Sequence, residues 1–311
     1  MTYRNPREEY GRALLELARA DRNVFALDAD LCKSTMTCLV EKELPAQYVE
    51  MGIAEQNMLS TAAGLALSGK IAFANSFAVF LTGRAFDQIR QAISLSRLNV
   101  KIVGSSAGLS DFGDGSTHQS VEDVALMRSI PNMTVVVPAD GLQTRAAVRA
   151  IAAHPGPVYL RIGRGDLPDV TAADAPFEIG RLQRLRDGSD VTVFAMGAMV
   201  HVALAAATEL AAEGLSVRVV NTPTLKPLDP TAVVAETRGT RAVVTTEEHS
   251  VIGGLGSTIA ECLRRERLPI EFHGVADVFG QSSNTPQPLL DHYGLNTATL
   301  KTVISRAAAL G

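Results

Sequence analysis

Glu55 stands in the stretch MGIAEQN (51–57), at the head of a run that continues almost wholly apolar, MLSTAAGLALSG. A carboxyl in that place is either a solvated helix-end charge or a proton-exchanging acid at a buried interface. A second concentration of reactive types is FGDGSTHQ (112–119), with Asp114 and His118 in a Gly/Ser/Asp-rich loop (105–118). The loop follows VKIVG, which reads as a buried strand, and loops at strand ends commonly carry acid–base groups. Taken alone, the pattern fits a functional Asp–His pair and an ordinary loop aspartate with a surface histidine equally well.

Other stretches are weaker. Gly113-Asp114-Gly115 resembles the start of a metal-binding loop, which needs oxygen ligands for a hard cation. The Asn-Asn pair that completes such a site is missing further on, where the chain reads PADGLQTR, so no metal is assigned to this chain. Phe77 and Phe80 in SFAVF suit a core, and they equally suit a wall for a flat aromatic ligand. Arg7, Arg161 and Arg164 are candidate anion clamps, since guanidinium groups bind oxyanions bidentately. HSVIGGLGS (249–257) could open a helix onto an anion. It lacks the Gly-x-Gly-x-x-Gly order, and close helix–strand packing is the favoured reading. Glu247, Glu248 and His249 beside it suit an interface or a buried polar network.

The elements that must position these groups are legible as a strand–helix alternation. Asn5-Pro6-Arg7-Glu8 predicts a capped helix to about residue 20, followed by the strand VFALDAD. A helix over 54–68, the strand KIAFAN, a helix over 82–97 and the strand VKIVG come next. MTVVVP, a helix from Gly141, and PVYLRI complete the first half. RGDLPDVTAADAPFE (164–178) has linker character. The alternation then restarts: DVTVFAMG, a helix over 199–213, LSVRVVN, a helix after Pro230, TRAVVTTEE, a helix from Gly254, LPIEFHGV and a terminal amphipathic helix. Such alternation predicts an α/β fold of two domains, each a mainly parallel sheet covered by helices. The boundaries read 1–170, a linker and entry strand over 171–186, and 187–311.

Composition fits this. The 311 residues are 46% hydrophobic and 20% charged with a net charge of −4, ample for two domains and without the basic excess of a nucleic-acid or anionic-membrane binder. Cys32, Cys38 and Cys262 form no Cys-x-x-Cys pair and suggest a reducing, cytoplasmic setting. No apolar leader is visible at the start of the sequence.

MGIAEQN (51–57), NSFAVFLTGRAFDQIR (75–90) and DGSTHQSVEDVALMRSIPNMTVVVPAD (114–140) occur in an order and spacing that resemble the pyrimidine-binding and C-terminal domains of transketolases, over essentially the whole chain. The resemblance implies a subunit of a split, thiamine-diphosphate-dependent transketolase. A separate partner would carry the diphosphate-binding domain with its GDG…NN motif and Mg2+, in an α2β2 assembly. The reaction implied is transfer of a two-carbon ketol unit from a ketose, often phosphorylated, to an aldose.

Carried over by position, Glu55 matches the glutamate facing N1′ of the cofactor's aminopyrimidine. Phe77 and Phe80 match aromatics around that ring, and Arg84 follows a ring-cage position. His118 matches a histidine at the donor carbonyl, Asp114 an aspartate reading the donor's C2 hydroxyl. Arg7, Ser34 (in DADLCKST) and Arg164 match phosphate-binding positions. Two departures alter the pocket: an acceptor-phosphate histidine falls at Ser106, and a ring-cage aromatic falls at Gly83. The acceptor need not be a standard pentose phosphate. The β subunit of a 2-oxoacid dehydrogenase shares the size and layout, and deoxyxylulose-phosphate synthase shares the motifs but is normally one fused chain. A non-catalytic assembly subunit of the same fold is the third alternative.

Overall fold

The computed structural model describes residues 2–311. The first helix, Pro6–Ala20, starts where the sequence places it. Asn5 Oδ1 accepts the Arg7 amide at 3.1 Å, and Pro6 occupies a first-turn position whose missing amide costs no hydrogen bond. The helix packs against Gly141–Ala153, which Asp140 caps by accepting the Gln143 amide at 2.8 Å. Both helices cover one face of a seven-stranded sheet. Its order is Thr224–Lys226, Thr134–Val136, Val158–Arg161, Val100–Ser105, Ile71–Phe77, Val24–Asp28 and Tyr48–Glu50. All its pairings are parallel except that of Thr224–Lys226. The second sheet has five strands in the order Ile270–Val275, Ala242–Ser250, Val191–Ala195, Val217–Asn221 and Gln183–Arg186, the last antiparallel. Two doubly covered, mainly parallel sheets are the α/β architecture expected from the alternation.

Several elements differ from the sequence expectation. The strand expected at KIAFAN continues through Phe77, and helical structure begins at Ala78 rather than at Thr82. That helix is widened into π-helical turns at Phe80–Arg84 and Ile89–Ser94. π turns break the usual side-chain spacing and recur at functional sites. Here the first one sets the Arg84 guanidinium over the Phe80 ring, 4.8 Å from its centroid. Residues 164–178 are tethered at several points. Leu167–Pro168 pairs with Tyr3–Arg4, and the buried Asp140 carboxylate accepts the Val170 and Thr171 amides and the Thr171 hydroxyl at 2.7–2.9 Å.

The two sheets are welded together. Thr224–Lys226 leaves the second half to extend the first sheet. One apolar cluster runs from Leu27, Ile102 and Val135 to Phe194, Val220 and Val243 without a break. The carboxyl ends of Ile71–Phe77 and Val100–Ser105, and the loops after them, therefore sit on a rigid base, as a ligand site in an open α/β sheet requires.

Lys101 lies inside that base. Its Nζ donates to the His154 and Gly156 carbonyls at 2.7 and 2.8 Å, and burial lowers its pKa to about 7. Between pH 7 and the unfolded value of 10.5 the folded chain binds fewer protons than the unfolded one, so this group makes stability rise with pH, by about 1.4 kcal/mol per unit. Denaturant unfolding across that window should show wild type gaining on Lys101→Met. Parallel pH profiles for the two proteins would contradict this placement of the charge.

Candidate active site

Glu55 begins the helix Glu55–Leu67 and is only 1% exposed. The next turn buries Met58 and Leu59, and Ala62 and Ala63 follow on the same inward face, which holds the helix start against the sheet. Arg84 Nη1 donates to Glu55 Oε2 at 2.8 Å, and the arginine side chain is 47% exposed. The ion pair thus joins a buried acid to a cation reachable from outside. Phe77 and Phe80 lie nearly parallel, with centroids 6.0 Å apart and planes at 17°. That spacing leaves no room for a third ring between them. They form a continuous apolar wall, and Gly83 beside it leaves open space where a side chain would stand. The His118 ring meets both phenylalanines edge-on, at 6.2 and 5.3 Å. Glu55, Phe77, Phe80, Arg84 and His118 therefore form one connected group, drawn from a strand end, the π turn after it, a helix start and a loop.

His118 and Asp114 share the short turn around Gly115–Thr117. Asp114 is exposed, and His118 Nδ1 lies 2.9 Å from the Thr117 hydroxyl. Ser106, at the loop's start, has the left-handed φ of 53° that β-carbon-bearing residues seldom adopt. It is fully buried and its hydroxyl has no partner among the described residues.

The anion-clamp residues form a second group. Arg7 Nη1 donates to Ser34 at 2.9 Å, through the backbone carbonyl rather than the hydroxyl. Asp28 shapes that loop: its carboxylate accepts the Leu31 amide and the Thr35 and Thr37 hydroxyls at 2.6–2.8 Å, and burial pushes its pKa up to about 6. Burial and then the nearby charge of Arg164 lower the Arg7 pKa, as expected for two cations facing one space. Arg164 is held by Asp111, at 2.7 Å. Asp111 is a residue the sequence reading missed. It lies in the polar loop already singled out, but nothing local announces its contact with an arginine far along the chain.

Arg161 corrects the sequence expectation. It is no anion clamp. Its Nε and Nη2 donate to Asp123 at 2.8 and 3.2 Å, and Nη2 also reaches the Ser120 and Glu248 carbonyls. Burial opposes the charge, but Asp123 outweighs it and keeps the guanidinium's pKa above its ordinary value. The turn before helix Leu255–Cys262 is likewise already filled. Glu247 accepts the Leu255 and Gly256 amides at 2.6 and 2.8 Å, so the helix start is closed by the chain's own carboxylate. Among the described residues no three His, Cys, Asp or Glu side chains gather as a metal site.

This geometry accompanies matches to family models along most of the chain. Residues 4–170 match the transketolase pyrimidine-binding domain and residues 180–300 the transketolase C-terminal domain. The chain belongs to the transketolase family. It is 43% identical to a putative transketolase C-terminal section of Methanocaldococcus jannaschii, over 94% of this chain and 93% of that one. It is also 43% identical to the 6-deoxy-6-sulfo-D-fructose transketolase subunit SqwH of Clostridium sp., over 97% and 92%. A subunit of the apulose-4-phosphate transketolase of Phocaeicola vulgatus is 38% identical over 93% of each. Among solved structures, a split gene transketolase described as an inactive β4 tetramer matches with a TM-score of 0.90 at 49% identity, over 98% of both chains. The transketolase of Campylobacter jejuni, at 20% identity and a TM-score of 0.84, shares the fold and covers 98% of this chain with 47% of its own length. Transketolase pyrimidine-binding domains serve thiamine diphosphate, and the phenylalanine wall beside a buried carboxyl suits a flat aminopyrimidine.

The buried Asp123–Arg161 pair offers a check on the frame of the site. Removing one partner strands the other charge, so Asp123→Ala should cost about 3–5 kcal/mol in chemical denaturation. A loss under about 1 kcal/mol would mean the pair does not hold the loop base.

Proposed function

We propose that this chain is one subunit of a heteromeric transketolase and moves a two-carbon ketol unit from a ketose to an aldose only when its partner is bound. The observation that carries this is the group made by Glu55, Arg84, Phe77, Phe80 and His118, set on a surface of the first sheet. The relatives named as subunits of split transketolases support the partner requirement. So does the solved relative whose lone β4 form is described as inactive. In this reading the partner supplies the diphosphate-binding domain and Mg2+, the assembly is α2β2, and the setting is cytoplasmic. The chain divides at 1–170, 171–186 and 187–311. No described helix is long and apolar enough to cross a membrane.

The chemistry supplied by thiamine diphosphate when bound is cleavage and re-formation of a carbon–carbon bond next to a carbonyl. Glu55 would hold the proton at the pyrimidine ring nitrogen. Arg84 engages Oε2, which leaves Oε1 for that contact. Phe77 and Phe80 orient the ring and exclude water, and a dry setting strengthens the carboxyl's hydrogen bond. His118, against the same wall, exchanges a proton with the substrate oxygen, and Asp114 in the same turn accepts a hydroxyl of a ketose donor.

Arg7, Arg164 and the Ser34 loop receive the substrate's anionic end, with Ser106 giving that end more room than a histidine would. Asp111 on Arg164, with Glu8 and Asp166 near Arg7, offsets much of the charge of the two cations. An anionic sugar fits, and it need not carry a phosphate. The subunit relatives act, by name, on one sulfonated and one phosphorylated sugar.

Glu55→Ala should abolish ketol transfer in the reconstituted complex while the chain still folds and assembles. Wild-type-like turnover would remove the assignment. The purified chain alone should show no ketol transfer with any donor. Activity without a partner would refute the split reading, and decarboxylation of a 2-oxoacid by the complex would move the protein to the dehydrogenase class.

A further inference from the structure

The acidic stretch Glu247-Glu248-His249 closes the strand Ala242–Ser250 of the second sheet, and all three side chains are buried. Glu247 caps a helix. His249 Nδ1 faces the Ser250 carbonyl at 2.7 Å, and the Ala125 amide approaches its Nε2 at 3.4 Å. Neither needs a role beyond packing. Glu248 does something different: its carboxylate crosses to the first half of the chain, where Oε1 accepts the Leu109 amide at 2.8 Å.

Leu109 sits at the neck of the loop that carries Asp114 and His118. Gly108 and Ser120 close that neck by exchanging two backbone hydrogen bonds, of 2.8 and 3.2 Å. Gly108 has a φ of +68°, and a β-carbon there would come within 2.7 Å of the Glu248 carboxyl. Glu248 is thus packed directly on the backbone of one side of the neck. It also reaches the other side, since Arg161 Nη2 bridges the Glu248 carbonyl at 3.0 Å and the Ser120 carbonyl at 3.4 Å. A second grip lies on the outside of the loop. Gln119 donates to the Gln281 carbonyl at 3.1 Å, the Ser283 amide donates to the Phe112 carbonyl at 2.7 Å, and Ser282 packs on Gly115. The segment 280–283 belongs to the second half as well.

We infer that Glu248 is a positioning residue for the substrate end of the site: from the second sheet it fixes the neck of the 109–119 loop and so sets where Asp114 and His118 stand. This rests on the proposed ketol-transfer reading. Glu248 is buried behind the loop and touches no substrate. A carboxylate is a costly group to bury even with the Arg161 charge nearby, and a neutral side chain would pack the space with less desolvation. What the carboxylate adds is a directed acceptor for one particular amide, from a strand that belongs to the other sheet. The second half of the chain, which contributes none of the candidate site residues, thereby acquires a part in donor binding. Small displacements of positioned groups are expensive in rate, so the neck needs a rigid external reference.

The test uses the full chain and its complex. In hydrogen exchange of the isolated chain, Glu248→Ala should speed exchange of the 105–120 segment about tenfold or more, the scale of one lost buried hydrogen bond. Glu248→Gln keeps an acceptor oxygen and should leave exchange close to wild type. In the reconstituted complex, Glu248→Ala should raise the donor KM about tenfold and leave the acceptor KM within about twofold, with Glu248→Gln restoring the donor KM. Gly280→Ala perturbs the loop from its other side, because the added carbon would collide with Gln119 Oε1 and press on Leu109. It should raise the donor KM in the same way, and it carries the test if Glu248→Ala fails to fold. Unchanged exchange in Glu248→Ala, or faster exchange with unchanged donor kinetics, would overturn the inference. The exchange arm needs no turnover, so failure of the ketol-transfer reading is distinguishable from failure of the pin.

Discussion

The buried pairing of Arg161 with Asp123 is the constraint around which the rest is arranged. A guanidinium this deep needs a countercharge. Asp123 engages its Nε and Nη2, and the Ser120 and Glu248 carbonyls share Nη2. Tyr159 in turn donates to Asp123 Oδ2 at 2.6 Å. These partners come from the strand Val158–Arg161 of the first sheet, from the loop and short helix that follow Val100–Ser105, and from the second sheet. A charge that cannot be left uncompensated thus determines how three separate parts of the chain meet. The site lies directly above, and its loop begins and ends within this network.

The same physics explains why the site is divided between a hard and a soft region. Phe77 ends a central strand, Glu55 starts a helix packed on that sheet, and neither can shift without opening the apolar interior. His118 and Asp114 ride on a loop whose tip is exposed. Their placement comes from outside, through the neck and the strap at 280–283. An acid and aromatic rings on rigid elements, with polar groups on a tethered loop, give one framework both a fixed and an adjustable side.

Much of the frame was legible because local rules decide it. The Asn5 cap, Pro6 and Pro230 at helix starts, and the Val-rich central strands all act within a few residues. What was not legible depends on partners far along the chain. Thr224–Lys226 is too short to announce itself and acquires meaning only beside Thr134–Val136. The π turn at Phe80–Arg84 follows no periodicity that a helical pattern would reveal. Arg161 and Arg164 look alike in sequence, three residues apart at the end of a strand and just beyond it, yet one is consumed by the buried Asp123 and the other stays partly exposed against Asp111. Only burial separates them. Glu55 was singled out by its odd setting, while its pairing with Arg84 needed the fold.

Asp111 shows how such a distant partner can reshape the chemistry of a recognised site. An acid beside an anion clamp is at first sight self-defeating, because it cancels part of the attraction that the arginines offer. Its position resolves the conflict. Asp111 is fully buried and meets Arg164 from behind, while the guanidinium remains partly exposed. Arg7 has no such acid in hydrogen-bonding contact and is steadied by a carbonyl, so it keeps its charge at the cost of facing another cation. The pair therefore combines one arginine fixed in direction by a buried acid with one held by a carbonyl, with Asp111, Glu8 and Asp166 nearby but not hydrogen-bonded to it. On the proposed reading, a clamp whose cations are partly offset by acids recognises an anion by shape more than by a strong field.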